Sequence, residues 1–265
     1  MNVLITGAAG GLGRALAIEC AERGFSLILT DVNADGLHSI RNGIIRQYNV
    51  SVIIISCNLT DNNDISALME KIKEDKISVD MLLNVAGVDY EGGFVERDCN
   101  NISNIIRLNI EATLRITHFI LSIKKPYKRL YIVFVSSLAS MYPMPLKATY
   151  AASKRFLLDF SVALRQELKA YNVSVLSVCP AGLPTTQEAL RGIDAQGFWG
   201  KVTTNHLERF AKRTILYSLN NKSVYIPGAL NKTFCYLGFL IPNSLIAGII
   251  YKRWSKAQKK WLENL

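Results

Sequence analysis

Two titratable side chains, Tyr150 and Lys154, lie four residues apart in a stretch with helical periodicity. On a helix, this spacing places both side chains on one face, one turn apart. A free tyrosine has a pKa of about 10, so its phenol is a poor proton shuttle at neutral pH. A neighbouring ammonium group favours the phenolate and is expected to lower that pKa. The pair therefore indicates acid–base chemistry, although Tyr-x3-Lys also arises by chance on amphipathic helices.

The composition excludes several classes of protein. Of the 265 residues, 49% are hydrophobic and 20% are charged, as is typical of a globular chain with a sizeable core. The five cysteines lack C-x-x-C spacing and the three histidines lie far apart, so neither a disulfide framework nor a metal site is predicted. This cysteine usage indicates a reducing compartment, and the N-terminus shows no signal-peptide pattern. We expect a cytoplasmic location.

The positive charge is concentrated near the C-terminus. The formal net charge is +10, and residues 201–265 carry eleven Lys or Arg against two Asp or Glu, which leaves +9 for that segment. No base-reading or stacking motif accompanies these charges. A nucleic-acid partner is therefore not predicted.

Apolar runs alternate with helical patterns along most of the chain. Continuous β-branched runs separated by helices are typical of strands buried on both faces of a parallel sheet. The predicted strands are Val3–Thr6, Ser26–Thr30, Val52–Ser56, Met81–Asn84, Arg129–Val135, Val173–Val178 and Val224–Gly228. The predicted helices are Leu12–Arg23, Ala34–Tyr48, a helix capped by Asp61 that ends at Glu74, Ile102–Ile123 and Thr149–Tyr171. The pattern predicts a doubly wound α/β fold in a single domain.

A glycine-rich turn, Thr6–Gly13, joins the first strand to the first helix. Glycines let the backbone approach a pyrophosphate, and a helix N-terminus offers free N–H groups. The pattern is T-G-x3-G-x-G rather than the usual G-x-G-x-x-G. Asp31 ends the second strand, where a carboxylate can accept hydrogen bonds from an adenosine ribose and repel a 2′-phosphate. It could equally cap the following helix, but we predict a dinucleotide site that prefers NAD over NADP.

Four motifs together resemble the short-chain dehydrogenase/reductase family over roughly residues 2–186. They are Thr6-Gly7-x3-Gly11-Leu12-Gly13, Asn84-Val85-Ala86-Gly87, Ser136-Ser137 and Tyr150-x3-Lys154. The glycine spacing and the chain length are similar to the ordinary dehydrogenase branch. The resemblance implies a Rossmann fold with a seven-stranded, mostly parallel sheet, to which this chain would add an apolar, basic helical C-terminal extension.

The resemblance also implies roles for individual residues. Tyr150 would be the general acid/base, Lys154 would lower its pKa and hold the nicotinamide ribose, and Ser137 would hold the substrate oxygen. Asn109 matches the asparagine that supports a water relay to the lysine. The implied cofactor-binding residues are Gly7, Gly11, Leu12, Gly13, Asp31, Asn58, Leu59, Asn84, Ala86, Gly87, Tyr150, Lys154, Pro180, Gly182 and Thr185 (or Thr186).

Three positions depart from the family pattern. Asn58 replaces the usual aspartate near adenine, and Val85 replaces the second asparagine of Asn-Asn-Ala-Gly. Ala181 is inserted into the Pro-Gly pair, which alters the contacts expected with the nicotinamide amide. None of these changes removes a catalytic group.

The residues after Gly182 would set the substrate. Phe198 and Trp199 would form an aromatic flap over an apolar ligand, or a surface pair that packs on a neighbour, and Met141–Pro145 would form the opposite wall. We predict an NAD(H)-dependent oxidoreductase that interconverts a secondary alcohol and a ketone on a lipophilic small molecule. The alternatives are an NADPH-dependent reductase of ketoacyl or sugar-linked ketones and, from another class, a non-catalytic dinucleotide-binding sensor or scaffold.

The C-terminal segment includes an uncharged run, Thr233–Tyr251, that is followed by lysines. Three interpretations are open: a helical hairpin packed over the active site or in a subunit interface, a peripheral membrane anchor, or a membrane span interrupted by Pro242. We expect residues 1–182 to form the dinucleotide-binding and catalytic core, residues 183–222 the specificity loop and helices, and residues 228–265 the extension. The family resemblance implies a homodimer or homotetramer.

Overall fold

The central sheet has seven strands. The computed structural model describes residues 1–185, 190, 194, 204–238 and 241–262. The strands are β1 (Asn2–Thr6), β2 (Ser26–Asp31), β3 (Val52–Ser56), β4 (Met81–Asn84), β5 (Leu130–Val135), β6 (Val173–Val178) and β7 (Val224–Tyr225). Their order is β3-β2-β1-β4-β5-β6-β7, and all six pairings between them are parallel. The predicted doubly wound sheet is confirmed, with a last strand shorter than expected.

Helices flank both faces of this sheet. They are α1 (Gly11–Glu22), α2 (Ala34–Gln47), α3 (Asn62–Glu74), α4 (Cys99–Ile106), α5 (Thr113–Ser122), α6 (Ala148–Glu167), α7 (Leu207–Leu219), α8 (Ala229–Gly238) and α9 (Asn243–Leu262). A π-helical segment, Arg107–Ala112, joins α4 to α5, and short 3₁₀ turns cover Leu138–Met141 and Lys169–Tyr171. The single helix predicted over Ile102–Ile123 is therefore three segments that begin earlier, at Cys99.

Side-chain caps fix where several helices begin. Asp61 accepts hydrogen bonds from the backbone N–H groups of Asn63 and Asp64, which confirms the predicted cap of α3. The cap of α2 is Asn33, whose side chain accepts from Gly36 N at 2.9 Å. The alternative in which Asp31 caps that helix is wrong, because Asp31 lies two residues too early.

Alternate side chains of each strand point to opposite faces, so the sheet builds two apolar layers. Val3 and Ile5 pack on one face with residues of α1, α2 and α7. Leu4 and Phe134 pack on the other face with residues of α3, α5 and α6. These two layers hold the strands rigidly, and the loops that carry chemistry leave from their carboxyl ends.

The C-terminal helices pack beside the catalytic part of the fold. Cys235 of α8 is 2% exposed and joins a buried cluster with Met141, Leu158 and Cys179. Trp254 of α9 lies against Lys147, whose ammonium nitrogen is 5.2 Å from the centre of its indole ring. Within the described residues, no helix combines the length and the apolar character that crossing a membrane requires.

Candidate active site

The strand order reverses beside β1, which lies between β2 and β4. In open α/β sheets, the connections on either side of such a point lead to opposite faces and leave a crevice at the carboxyl ends of the strands. The glycine turn follows β1, the Asn84–Gly87 motif follows β4, and Ser136 and Ser137 follow β5. The fold thus brings these motifs to one edge of the sheet.

The glycine turn is packed too tightly for side chains. Gly7 has φ +66°, and a Cβ there would lie 2.8 Å from Ala86 Cα. A Cβ at Gly13 would lie 2.1 Å from Gly7 O, and one at Gly11 would lie 2.8 Å from Thr185 O. Among the residues that the structure describes, no side chain caps the N-terminus of α1 at Gly10. The turn therefore presents bare backbone and a helix N-terminus, which suits the diphosphate of a dinucleotide.

Thr6 ties this turn to the loop after β4. Its hydroxyl oxygen accepts hydrogen bonds from Val85 N at 3.0 Å and from Ala86 N at 3.2 Å. The side chain of Asn84 is buried and donates to the Thr117 hydroxyl on α5 at 3.1 Å. Its amide thus anchors the loop from inside, and a cofactor would meet the following backbone at Ala86 and Gly87.

The carboxylate of Asp31 joins the glycine turn to the start of α2. It accepts from Ala9 N through Oδ2 and from Asn33 N through Oδ1, both at 2.9 Å. An ionised carboxylate has about four acceptor positions, so these bonds leave capacity for a ribose hydroxyl. The geometry is compatible with the predicted ribose contact.

Asn58 and Leu59 follow β3. The Asn58 side chain accepts from Thr60 N at 3.1 Å and from the Thr60 hydroxyl at 2.7 Å, which closes a local turn. Leu59 is 6% exposed, and its side chain belongs to the apolar layer under α3. Leu59 could therefore reach a cofactor only through its backbone.

The two serines after β5 have different tasks. The Ser136 hydroxyl is buried and donates to Lys154 O at 2.7 Å, which fixes β5 to α6. Ser137 is half-buried; its hydroxyl oxygen accepts from Ala139 N at 3.1 Å, and the hydroxyl is near enough to the Tyr150 phenol to lower its pKa. The structure therefore brings together the predicted pair Ser137 and Tyr150.

Lys154 is buried beside the same tyrosine. Its Nζ donates to Val135 O at 3.0 Å and lies 5.7 Å from the centre of the Tyr150 ring. Burial lowers the pKa of Lys154 to about 8. Burial also raises the pKa of Tyr150 to about 12, and the Asp89 carboxylate adds to that rise. The direction is opposite to the predicted lowering of the phenol pKa, because burial and the Asp89 carboxylate outweigh the Ser137 hydroxyl and the Lys147 ammonium.

Asn109 lies in the π-helical segment and is fully buried. Its Oδ1 accepts from Val88 N at 2.9 Å, and its Nδ2 donates to Val88 O and to the Ser153 hydroxyl, each at 3.1 Å. A Cβ on Gly87 would lie 3.0 Å from Asn109 Oδ1 and 3.1 Å from Lys154 Nζ. One amide hydrogen therefore holds the β4 loop beside Lys154 and the other binds α6 at Ser153, and the water relay stays a prediction.

The Pro180–Thr185 loop closes over the glycine turn. Pro180 O accepts from Leu138 N at 2.7 Å, and Thr185 meets Gly11 as described above. Asn205 was not anticipated: its Oδ1 accepts from Ala181 N at 3.0 Å, and its backbone N–H donates to Gly182 O at 2.9 Å. Thr186 and the predicted flap at Phe198 and Trp199 lie outside the described residues.

The predicted wall at Met141–Pro145 begins inside the protein, since Met141 is 8% exposed and packs in the cluster with Cys235.

Sequence reasoning also missed a cluster of charged side chains beside Tyr150. Lys147 forms ion pairs with Asp89 at 2.6 Å and Glu91 at 3.2 Å. The one available signal was a lysine three residues before the tyrosine, which is neighbouring spacing on a helix.

A family model for short chain dehydrogenases matches residues 1–192. The chain belongs to the short-chain dehydrogenase family. Curated relatives of this short-chain dehydrogenase include the very-long-chain 3-oxoacyl-CoA reductase of Coccidioides immitis, 30% identical over 230 residues that cover 83% of this chain and 64% of that protein. The mouse protein of the same name is 30% identical over 183 residues, 67% of this chain and 57% of its own. The chain thus spans under two thirds of the length of these relatives.

Solved structures agree with the fold. A bulky-bulky ketone specific alcohol dehydrogenase from Comamonas testosteroni superposes with a TM-score of 0.76 at 22% identity, covering 90% of this chain and 91% of that one. A short-chain dehydrogenase from Sphingobium yanoikuyae, solved with NADPH, has a TM-score of 0.72 at 25% identity and covers 91% and 96%. These likenesses confirm the predicted Rossmann-type fold of a short-chain dehydrogenase.

Proposed function

We propose that this short-chain dehydrogenase interconverts a ketone and a secondary alcohol on a lipophilic substrate, with a 3-oxoacyl thioester as the ketone. The observation that carries the proposal is the buried Lys154 ammonium, held by Val135 O and 5.7 Å from the centre of the Tyr150 ring, with the Ser137 hydroxyl beside the same phenol. The 3-oxoacyl class and a long acyl chain are supported by the activity for which the curated relatives are named.

The cofactor proposed is NAD. Gly7, Gly11 and Gly13 would face its diphosphate, Asp31 its adenosine ribose, and Lys154 its nicotinamide ribose. A bound nicotinamide supplies the hydride for carbonyl reduction and accepts it in the reverse direction. The carboxylate of Asp31 would repel a 2′-phosphate, which favours NAD over NADP.

Two hydroxyl groups of the chain bind and protonate the substrate oxygen. Ser137 and Tyr150 would donate hydrogen bonds to the carbonyl and stabilise the negative charge that develops on it. Because the Tyr150 pKa is raised to about 12, its phenol is protonated at neutral pH and ready to act as an acid. Such a positioned proton donor contributes typically ~10²–10⁴-fold to the rate. The protonated phenol is the form that ketone reduction requires at Tyr150.

The test begins with the wild-type protein. NADH and NADPH are titrated by protein fluorescence, and 3-oxoacyl thioesters of increasing chain length are compared with simple ketones in a spectrophotometric assay. Tyr150→Phe is expected to lower turnover by at least ~10²-fold while cofactor affinity stays within a factor of about two. Tyr171→Phe, at an exposed tyrosine near the end of α6, is the matched control.

Retained turnover in Tyr150→Phe contradicts the assigned role of the phenol. Tight NADH binding without turnover on any ketone or alcohol would instead favour the alternative of a non-catalytic dinucleotide sensor.

A further inference from the structure

Tyr150 has a second cation beside it that lies outside the Tyr-x3-Lys motif. Lys147 is the residue immediately before α6, and its Nζ lies 5.9 Å from the centre of the Tyr150 ring. The Nζ of Lys154 lies 5.7 Å from the same point. The phenol is therefore approached by two ammonium groups at nearly equal distances.

Three side chains hold the Lys147 ammonium in place. Asp89 and Glu91, on the loop after β4, pair with it at 2.6 and 3.2 Å, and its side chain is 15% exposed. The ring of Trp254 on α9 lies 5.2 Å from Nζ. Arranging this lysine costs backbone strain, since Leu146 has φ +67°, and Gly92 N donates to Leu146 O at 2.8 Å to stabilise that conformation.

We propose that Lys147 is a positioning residue for the reaction at Tyr150: clamped by Asp89 and Glu91 and covered by Trp254, its ammonium balances the negative charge around the phenol. This inference rests on the proposed function of Tyr150 as the acid/base. It adds a charge cluster built from the β4 loop, the start of α6 and the C-terminal helix α9.

The groups that face Tyr150 determine the sign of the effect. The anions are Asp89 and Glu91, the cations are Lys147 and Lys154, and Ser137 contributes a hydroxyl. The thiols of Cys179 and Cys235 and the phenol of Tyr142 have raised pKa values because they are buried, so they are neutral at pH 7. Among the described residues, Asp89 raises the pKa of the Tyr150 phenol, and Ser137 and Lys147 lower it.

Lys147 and Asp89 push the pKa of Tyr150 in opposite directions. The Asp89 carboxylate raises the pKa and the Lys147 ammonium lowers it. Burial favours neutral Lys147, but Asp89 and Glu91 raise its pKa above the ordinary value and keep it charged. Lys147→Met would leave two carboxylates unpaired beside the phenol, whereas Asp89→Asn would remove one of them.

The experiment compares wild type with Lys147→Met, Lys147→Arg and Asp89→Asn. Lys128→Met is the control, because Lys128 also pairs with an aspartate, Asp80, at 3.6 Å. That pair lies before the amino ends of β4 and β5, at the opposite edge of the sheet from the candidate site. Alcohol oxidation requires the Tyr150 phenolate. Its pH–rate profile should therefore shift by about one pH unit to higher pH in Lys147→Met, which is a tenfold lower oxidation rate at any pH below the pKa of Tyr150. It should move down in Asp89→Asn and stay in place in Lys147→Arg and the control.

A second readout needs no turnover. In protein labelled with ¹³C at the tyrosine Cζ, the onset of phenolate formation at Tyr150 should come at the lowest pH in Asp89→Asn, then in wild type, and at the highest pH in Lys147→Met. Tyr150→Phe assigns the resonance. A different order of these onsets, or titrations that coincide, overturns the role of Lys147. If wild type shows no turnover but the three proteins titrate in the predicted order, only the proposed function is overturned.

A merely structural lysine would behave differently. Lys147→Met would then lower the melting temperature and slow ketone reduction and alcohol oxidation by the same factor, with no movement of either pH profile. That result also overturns the proposal.

Discussion

Asn109→Ala is expected to destabilise the protein strongly, because the side chain is completely buried and makes three hydrogen bonds. The substitution leaves the backbone N–H and C=O of Val88 without their partner and removes the donor to Ser153. A buried polar group left unpaired costs about 1–3 kcal/mol, and partial relaxation of the loop after β4 brings the expected total to about 3 kcal/mol. For a domain of this size, that corresponds to a fall in melting temperature of about 6–12 °C.

The matched control is Asn104→Ala, one helical segment earlier. Asn104 is half-buried on α4 and donates one long hydrogen bond, 3.3 Å to the Tyr90 hydroxyl. Its loss should cost less than about 1 kcal/mol. Thermal and urea unfolding, followed by circular dichroism at neutral pH, measures both variants against wild type.

Equal melting temperatures for the two variants would refute the view that Asn109 is the buried anchor of the β4 loop. Should Asn109→Ala fail to fold, Asn109→Ser retains one polar group and should fall between wild type and the alanine variant. In either variant, turnover should fall further than stability alone explains, since Val88 adjoins Gly87 and Gly87 packs against Lys154.

The remaining predictions concern the cofactor and alkaline pH. Asp31→Ser should raise the affinity for NADPH relative to NADH by at least about tenfold, since the repulsion of a 2′-phosphate is lost. Fluorescence titration measures the ratio, and an unchanged ratio contradicts the ribose role. Burial raises the pKa of Cys20 and Cys57 to about 12 and of Cys179 to about 11. Their contribution to stability is complete below the ordinary thiol pKa near 9 and is lost as the pH rises toward 11–12. The urea concentration at the unfolding midpoint should therefore decrease as the pH is raised above 9, and it should decrease less in Cys20→Ala. This comparison separates the contribution of the Cys20 thiol from that of Lys154, whose lowered pKa stabilises the protein as the pH rises. Parallel curves for wild type and Cys20→Ala would contradict it.

The sheet and the motif positions were predictable because their causes are local. A run such as Val52–Ser56 is apolar on both faces whatever the rest of the chain does, and Asp61 caps its helix through residues two and three positions away. The pairing of Ser137 with Tyr150 was predicted through the family resemblance, and the fold brings the Ser137 hydroxyl near enough to the Tyr150 phenol to lower its pKa.

What escaped prediction depends on contacts between distant parts of the chain. Lys147 pairs with Asp89, which lies 58 positions away in the sequence, and hydrophobic periodicity does not predict contacts between such distant residues. The π-helical segment arises where Asn109 must turn inward to reach Val88, which is a demand of packing rather than of propensity. The phenol pKa was predicted in the wrong direction because spacing reveals a charged neighbour but not how deeply the phenol is buried.

Asn205 binds Ala181 through its side chain and Gly182 through its backbone. The chain therefore departs from β6 and returns toward α7 at a single hydrogen-bonded junction. A graft that keeps Ala181, Gly182, Thr185 and Asn205 therefore keeps both this junction and the packing of Thr185 on Gly11. Exchanging residues 186–203 with those of a relative is expected to transfer substrate preference while the junction between strand and helix is kept.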